Sequence, residues 1–122
     1  MDEEADYETS LDYAQVRQVV VTTSGGTHRF SVTVRHNDEG WDHYADEWQV
    51  YNPETGEVYG TRELLHPHDN EQPFTRSLSG VEIPDDVTVV AVRAKCNVHG
   101  YGGREVVVDL TTTEGDSYEV RE

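Results

Sequence analysis

Cys96 and His99 belong to the segment Cys-Asn-Val-His-Gly, and their spacing allows both side chains to reach one metal ion from a tight turn. Thiolate sulfur and imidazole nitrogen together are typical ligands of iron, zinc and copper. Glycines at positions 100, 102 and 103 would allow the backbone to curl around such an ion. The structural alternative is an inert buried cysteine beside a histidine that is satisfied by backbone hydrogen bonds, and the segment alone fits both.

The other histidines supply further candidate ligands, and most of them fall in predicted loops or at predicted strand ends, where a scaffold presents functional groups. His36 has the same parity as Phe30, Val32 and Val34, so it is expected to point inward from the end of a strand. His66 and His68 are separated by one residue and could share a metal, whereas His28 lies inside a predicted strand and is the weaker candidate. The candidate metal ligands are His36, His43, His66, His68, Cys96 and His99.

Period-two patterning predicts that these residues are positioned by β-strands. Residues 15–22 and 29–35 form a predicted hairpin around a turn at 24–26. Further strands are predicted at 48–51, 57–64, 78–83, 87–96, 104–110 and 117–121, with polar loops at 36–47 and 65–76 in which Phe74 serves the core. The strand at 87–96 places Cys96 on its buried face. We therefore predict an all-β, antiparallel immunoglobulin-like β-sandwich of seven or eight strands, with an open barrel as the competing architecture.

The chain has 122 residues, enough for one domain, which we place at residues 15–122. Residues 1–14 are acidic and lack an apolar period, and they predict a disordered arm. No apolar run is long enough to span a membrane, and the acidic N-terminus does not resemble a secretion signal. A single cysteine excludes an internal disulfide, and we expect a cytoplasmic protein that does not bind membranes.

The charge balance is strongly acidic, with 9 basic and 25 acidic residues and a net charge of −16. Scattered single cations argue against a nucleic-acid partner. Lys95 is the only lysine, and a surface rich in carboxylates and poor in lysine predicts a halophilic protein whose self-repulsion is screened by concentrated salt. Edge strands in so small a sandwich are compatible with a homodimer.

The segment Cys96–Gly100 resembles the Cys-Asn-x-His-Gly signature of the superoxide reductases, the desulfoferrodoxin and neelaredoxin iron proteins. Upstream, the family has a His, a spacer, a second His followed by Tyr, and then a Trp. The similar residues here are His36, His43, Tyr44 and Trp48. The resemblance covers roughly residues 30 to 110, and the family fold is also a small immunoglobulin-like β-sandwich.

The resemblance implies a mononuclear non-haem iron with His36, His43 and His99 as equatorial ligands and Cys96 as the axial thiolate. An open sixth position would take superoxide, which is reduced to hydrogen peroxide with electrons from an unidentified donor. The family's N-terminal Glu-Lys-His has no match here, so His66 or His68 is expected to replace the missing ligand, and Arg62 or Lys95 the cation that guides superoxide. The chain also has Asn37 where the family usually has Pro, and Trp48 lies one residue farther from His43.

Two other functions remain open from the sequence. The first is a non-catalytic immunoglobulin-like binding or structural domain, with a structural metal or none. The second is a blue-copper domain, ranked third because its weak axial ligand is normally a Met and the only one is Met1.

Overall fold

The computed structural model describes residues 13–36, 38, 40–68 and 71–122, and in this part of the chain it contains ten β-strands and no helix. The strands are β1 (Gln15–Ser24), β2 (Thr27–Arg35), β3 (Ala45–Tyr51), β4 (Val58–Glu63), β5 (Phe74–Val81), β6 (Val89–Cys96), β7 (Gly100–Tyr101), β8 (Val106–Asp109), β9 (Glu114–Gly115) and β10 (Tyr118–Arg121). Residues 1–12 of the predicted acidic arm lie outside the described residues.

The strands form two sheets, which confirms the predicted all-β sandwich. The first sheet has the order β5-β2-β1-β10-β9, and the second has the order β4-β3-β6-β7, with β8 also paired to β6. Two of the ten strands, β7 and β9, have only two residues each, so the longer strands agree with the predicted number. All the strand pairs are antiparallel except β1 with β10, a parallel pairing that local patterning cannot reveal.

Apolar residues at alternate positions of the central strands face each other between the two sheets. The largest fully buried apolar side chains are Trp48, Phe30 and Phe74, which confirms the core position predicted for Phe74. Around them pack the valines of β1, β2, β3, β6 and β8. Burial of alternate residues on two facing sheets is the main apolar contribution to this fold.

Most predicted boundaries differ from the structure by one or two residues, and the starts of two strands differ by more. The third strand begins at Ala45 rather than at Trp48, because its first residues pair with the end of β6, where Ala45 lies opposite Cys96. The fifth strand begins at Phe74, inside the predicted loop 65–76, because Phe74 pairs with Val34 of β2. In both cases a partner strand distant in sequence supplies hydrogen bonds that extend the strand.

One end of the sandwich collects several chain segments. The last residue of β2, the first residue of β3, the last residue of β6 and the first residue of β5 all lie there, because these strands run antiparallel within their sheets. The connections 36–44 and 64–73 therefore meet at this end.

Candidate metal centre

His36, His43 and Cys96 converge at this end of the sandwich. Their ligand atoms, one from each residue, lie within 4.8 Å of one another, and they are the one group of three or more such side chains in the described part of the chain. His36 directly follows β2 of the first sheet, whereas Cys96 ends β6 of the second. The cluster therefore lies between the two sheets. It forms only when the two sheets pack against each other.

The two imidazoles of the cluster face each other through their Nε2 atoms, which are 3.2 Å apart. Their rings are nearly perpendicular, with an interplanar angle of 83° and centroids 4.7 Å apart. His36 is 1% exposed, which agrees with the inward orientation expected from its parity, and His43 is half-buried. The two nitrogens are hydrogen-bonded to each other here, and their spacing also allows them to share a metal ion.

The sulfur of Cys96 receives a hydrogen bond from the backbone N–H of His99 at 3.2 Å. Cys96 is buried, as its place on the inner face of β6 predicts. Such an N–H···S bond stabilises negative charge on sulfur, which is the state that binds metals. The turn that makes this contact ends at Gly100, whose φ of +68° favours glycine.

His99 lies at the rim of the cluster. Its side chain is exposed, and its ring centroid is 5.0 Å from that of His43 and 5.3 Å from that of Tyr13. It is not one of the three residues whose ligand atoms converge. The structure thus places the exposed ring of His99 beside the site.

Asn97 fixes the loop that carries His43, a role that sequence reasoning missed. Its side-chain oxygen accepts a hydrogen bond from the backbone N–H of Tyr44 at 2.9 Å, and its amide donates to the carbonyls of Trp41 and Asp42 at 3.2 and 3.3 Å. Its backbone N–H also donates to the carbonyl of Tyr44 at 3.1 Å. The available signal was the position of Asn97 between the cysteine and the histidine of the Cys96–Gly100 segment.

Asp38 is a buried carboxylate beside His36. It accepts hydrogen bonds from His36 Nδ1 at 2.5 Å, from the backbone N–H of Ala45 at 3.1 Å and from the backbone N–H of His68 at 2.6 Å. Burial by itself would raise the pKa of Asp38, but these hydrogen bonds outweigh it and hold the pKa below its usual value. Asp38 was also missed from sequence, because one Asp in an acidic chain carries no distinguishing pattern.

His66 and His68, which were expected to complete a metal site, lie outside the converging group of described residues. His68 is buried and stacks on Phe74 with ring centroids 3.9 Å apart, and its Nε2 accepts a hydrogen bond from Arg76 at 3.0 Å. Burial, followed by the charge of Arg76, lowers the pKa of His68. His66 is exposed and its Nδ1 lies 3.0 Å from the carbonyl oxygen of Pro67.

His28 lies at the other end of β2 from His36. Eight residue steps along extended strand separate the two, a distance of about 26 Å. Its Nδ1 is hydrogen-bonded to Thr23 Oγ1 at 2.8 Å, and burial lowers its pKa. His28 therefore cannot complete a site that contains His36.

The two cations proposed to guide an anion are occupied elsewhere. Lys95 precedes Cys96, so strand alternation directs its side chain to the opposite face, where Nζ contacts both carboxylate oxygens of Asp46 at 3.0 and 3.1 Å. Arg62 lies opposite Trp48 on β4, and its Nη1 donates to the carbonyl of Glu63 at 3.2 Å. The guiding role of either cation stays a prediction.

No protein-family model matches the chain. It is 46% identical over 109 residues to a protein of Halomicrobium mukohataei named "Putative lipoprotein". The match covers 88% of this chain and 53% of that protein, so the chain spans about half the length of the curated relative. Among solved structures, a reduced superoxide reductase (neelaredoxin) from Archaeoglobus fulgidus has a TM-score of 0.45 and 13% identity, over 89% of this chain and 92% of that chain. This is a distant resemblance of fold.

The prediction of a cytoplasmic protein is wrong, because the relative from Halomicrobium mukohataei contradicts it. The relative is named "Putative lipoprotein", which implies a membrane-anchored or secreted protein rather than a cytoplasmic one. The prediction failed because a single cysteine and an acidic surface report on disulfides and solubility, and these properties are compatible with either side of a membrane. In the described residues we find no helix with the length and hydrophobicity needed to cross a bilayer.

Proposed function

We propose that the protein binds one transition-metal ion through His36, His43 and Cys96, and that with iron bound it reduces superoxide to hydrogen peroxide. The observation that carries the proposal is the convergence of two imidazole nitrogens and one buried sulfur within 4.8 Å. Hard cations such as Mg²⁺ and Ca²⁺ prefer oxygen ligands, whereas a nitrogen and sulfur donor set suits iron, copper and zinc.

The spacing of the two imidazoles fits a shared ion. Metal-to-nitrogen bonds are about 2.0–2.1 Å long, so Nε2 atoms 3.2 Å apart subtend an angle of about 100° at the ion. This angle lies between those of octahedral and tetrahedral coordination. The two rings thus need little movement to bind the same ion.

In this proposal His99 supplies the fourth protein donor. Its backbone already contacts the sulfur of Cys96, and its exposed ring stands next to that of His43. A rotation of the side chain brings an imidazole nitrogen toward the site without moving the backbone. Four protein ligands then leave room for a small substrate on the solvent side.

The resemblance to the superoxide reductases supports the choice of iron. The Asn and Gly of the shared signature have physical roles here, because Asn97 fixes the loop that carries His43 and Gly100 takes the positive φ of the turn. Bound iron would supply one-electron redox chemistry, with the thiolate of Cys96 donating electron density to it. The overall reaction consumes one electron and two protons for each superoxide, and an external electron donor must restore the electron.

Electrostatics sets the conditions for the reaction. A net charge of −16 repels an anionic substrate at low salt, and Lys95 is paired with Asp46. In molar salt the Debye length falls to about 3 Å, so only charges at the mouth act on the substrate. We therefore expect the rate with superoxide to increase with ionic strength.

The named relative suggests where the domain works. We propose that the chain forms part of a lipid-anchored protein and reacts with superoxide on the outer side of the membrane, a proposal supported by its 46% identity to the protein named as a lipoprotein.

A metal-loading experiment tests the function. Protein freed of metal is loaded anaerobically with Fe²⁺, Cu²⁺ or Zn²⁺, and the bound metal is counted. With iron we expect about one ion per chain, a thiolate-to-iron absorption band after oxidation, and consumption of superoxide in the presence of a reductant. An intense blue copper complex combined with inert iron protein would favour the copper alternative, and a protein that binds none of the three metals would favour the non-catalytic domain.

A further inference from the structure

The carboxylate of Asp38 joins three segments at the back of the cluster. Oδ1 accepts from His36 Nδ1 at 2.5 Å and from the backbone N–H of Ala45 at 3.1 Å, and Oδ2 accepts from the backbone N–H of His68 at 2.6 Å. The side chain of Asp38 is fully buried, as is that of His36. Its geometry is therefore fixed by strand β3 and by the connection between β4 and β5.

We infer that Asp38 is a positioning residue, which holds His36 in the tautomer protonated at Nδ1 and so keeps its Nε2 lone pair directed into the cluster. The inference rests on the proposed metal site and explains how His36 is prepared for it. The two backbone groups can only donate, so both carboxylate oxygens must act as acceptors. Donors at both oxygens favour the ionised carboxylate over the acid, so the proton between Asp38 and His36 belongs to the ring, at Nδ1.

The proton at Nδ1 of His36 determines the state of Nε2 on the other side of the imidazole ring. A neutral imidazole protonated at Nδ1 has its lone pair at Nε2, which is the atom that faces His43 Nε2 at 3.2 Å. A hydrogen-bonded carboxylate behind a ligand histidine fixes the orientation of the ring and makes the nitrogen in front more basic. The opposite tautomer would place a proton where the metal has to bind.

An asparagine at position 38 would remove this preference. An amide has one acceptor oxygen and one donor nitrogen, but three donors face residue 38, namely His36 Nδ1 and the backbone N–H groups of Ala45 and His68. If the oxygen faces His68, the NH₂ faces His36, Nδ1 must accept, and the ring proton moves to Nε2. If the oxygen faces Ala45, Nδ1 keeps its proton but the NH₂ opposes the N–H of His68. The tautomer protonated at Nδ1 is therefore no longer the single form, although the shape of residue 38 is unchanged.

The test uses the full chain with ¹⁵N-labelled histidine. In metal-free wild-type protein, NMR should show His36 protonated at Nδ1 and bare at Nε2. In Asp38→Asn the Nε2-protonated form should appear beside the Nδ1-protonated one, and the affinity for Co²⁺ should fall by about 10–100-fold, the usual cost of removing a ligand's outer partner. The matched control is Asp46→Asn, which removes a carboxylate that pairs with Lys95 on the outer face and should change neither result.

The outcomes separate the two proposals. A wild-type protein that takes up no cobalt, iron or copper refutes the metal site. A wild-type His36 protonated at Nε2, or an Asp38→Asn protein with the wild-type tautomer and affinity, refutes the role of Asp38 and leaves the metal site standing. If Asp38→Asn does not fold, the wild-type spectrum still decides the tautomer.

Discussion

The backbone N–H of His99 donates a hydrogen bond to the sulfur of Cys96 at 3.2 Å, and this contact ties the rim of the cluster to its buried thiol. The contact lies within one short turn, so the segment that carries the sulfur also helps to fix its position.

Replacing Cys96 with Ser should abolish the thiolate-to-metal absorption band of the iron- or cobalt-loaded protein, because a neutral hydroxyl does not replace a thiolate as ligand. The hydroxyl is buried in place of sulfur, so the free energy of unfolding should fall by about 1–3 kcal/mol. Absorption spectra and urea unfolding measure the two effects. A variant that retains the band would show that the metal does not bind the sulfur.

Removing the imidazole of His43 should weaken Co²⁺ binding by more than about 100-fold, since losing a direct ligand costs more than losing an outer partner. The control is His28→Ala, which removes an imidazole from the far end of β2 and should leave the affinity within about twofold. Competition titration against a chelator measures both. If the His43 variant and His28→Ala lose the same amount of Co²⁺ affinity, the assignment of His43 to the site is contradicted.

Truncating Asn97 to Ala should weaken metal binding as well as stability, because its side chain holds the backbone around Tyr44. Loss of its hydrogen bonds should cost about 1–3 kcal/mol of unfolding free energy. Asn52→Ala is a control, because the side chain of Asn52 also accepts hydrogen bonds from backbone N–H groups, those of Glu54 and Thr55, but within its own turn after β3. That control should lose stability and keep its metal affinity, and a parallel loss of affinity would refute a specific role for Asn97.

Concentrated salt should stabilise the folded chain, because 25 acidic residues face only 9 basic ones and screening reduces their mutual repulsion. We expect the free energy of unfolding in urea to rise between about 0.1 M and 2 M KCl. The halophilic character stays a prediction until this is measured. A free energy of unfolding that stays constant or falls as the KCl concentration rises would contradict the halophilic character.

Alkaline pH should weaken the fold through Tyr51. Burial, together with its hydrogen bond to Glu105 and that group's charge, raises the pKa of Tyr51 from 10.0 to about 12. The folded chain holds this proton more tightly than the unfolded chain, so the contribution to stability is complete below pH 10 and is lost as pH rises toward 12. Phenolate absorbance should show the late titration in the folded protein, and Tyr51→Phe should remove one tyrosine's share of it. The share of Tyr101 should remain, because burial and a hydrogen bond to Glu47 raise the pKa of that phenol as well. In guanidinium chloride the phenol of Tyr51 should titrate at its ordinary value.

Local periodicity was enough to predict most of the fold. Alternation in residues 29–35 and 87–96 predicted the strands and the inward side of each, and it correctly directed His36 and Cys96 toward the core. The extra residues of β3 and β5 were missed, because strand ends depend on partners far away in sequence.

The sequence by itself determined which residue types were available and which way they face, because side-chain direction in a strand follows from the two-residue repeat alone. Tertiary structure decided which of them meet. His36 and Cys96 come from different sheets, so only the packing of one sheet on the other brings them together, and the same packing leaves His28 at the far end. Tertiary structure also distinguishes Asp38 from the other acidic residues as the partner of His36. Its burial and its three hydrogen-bond donors are properties of the folded chain.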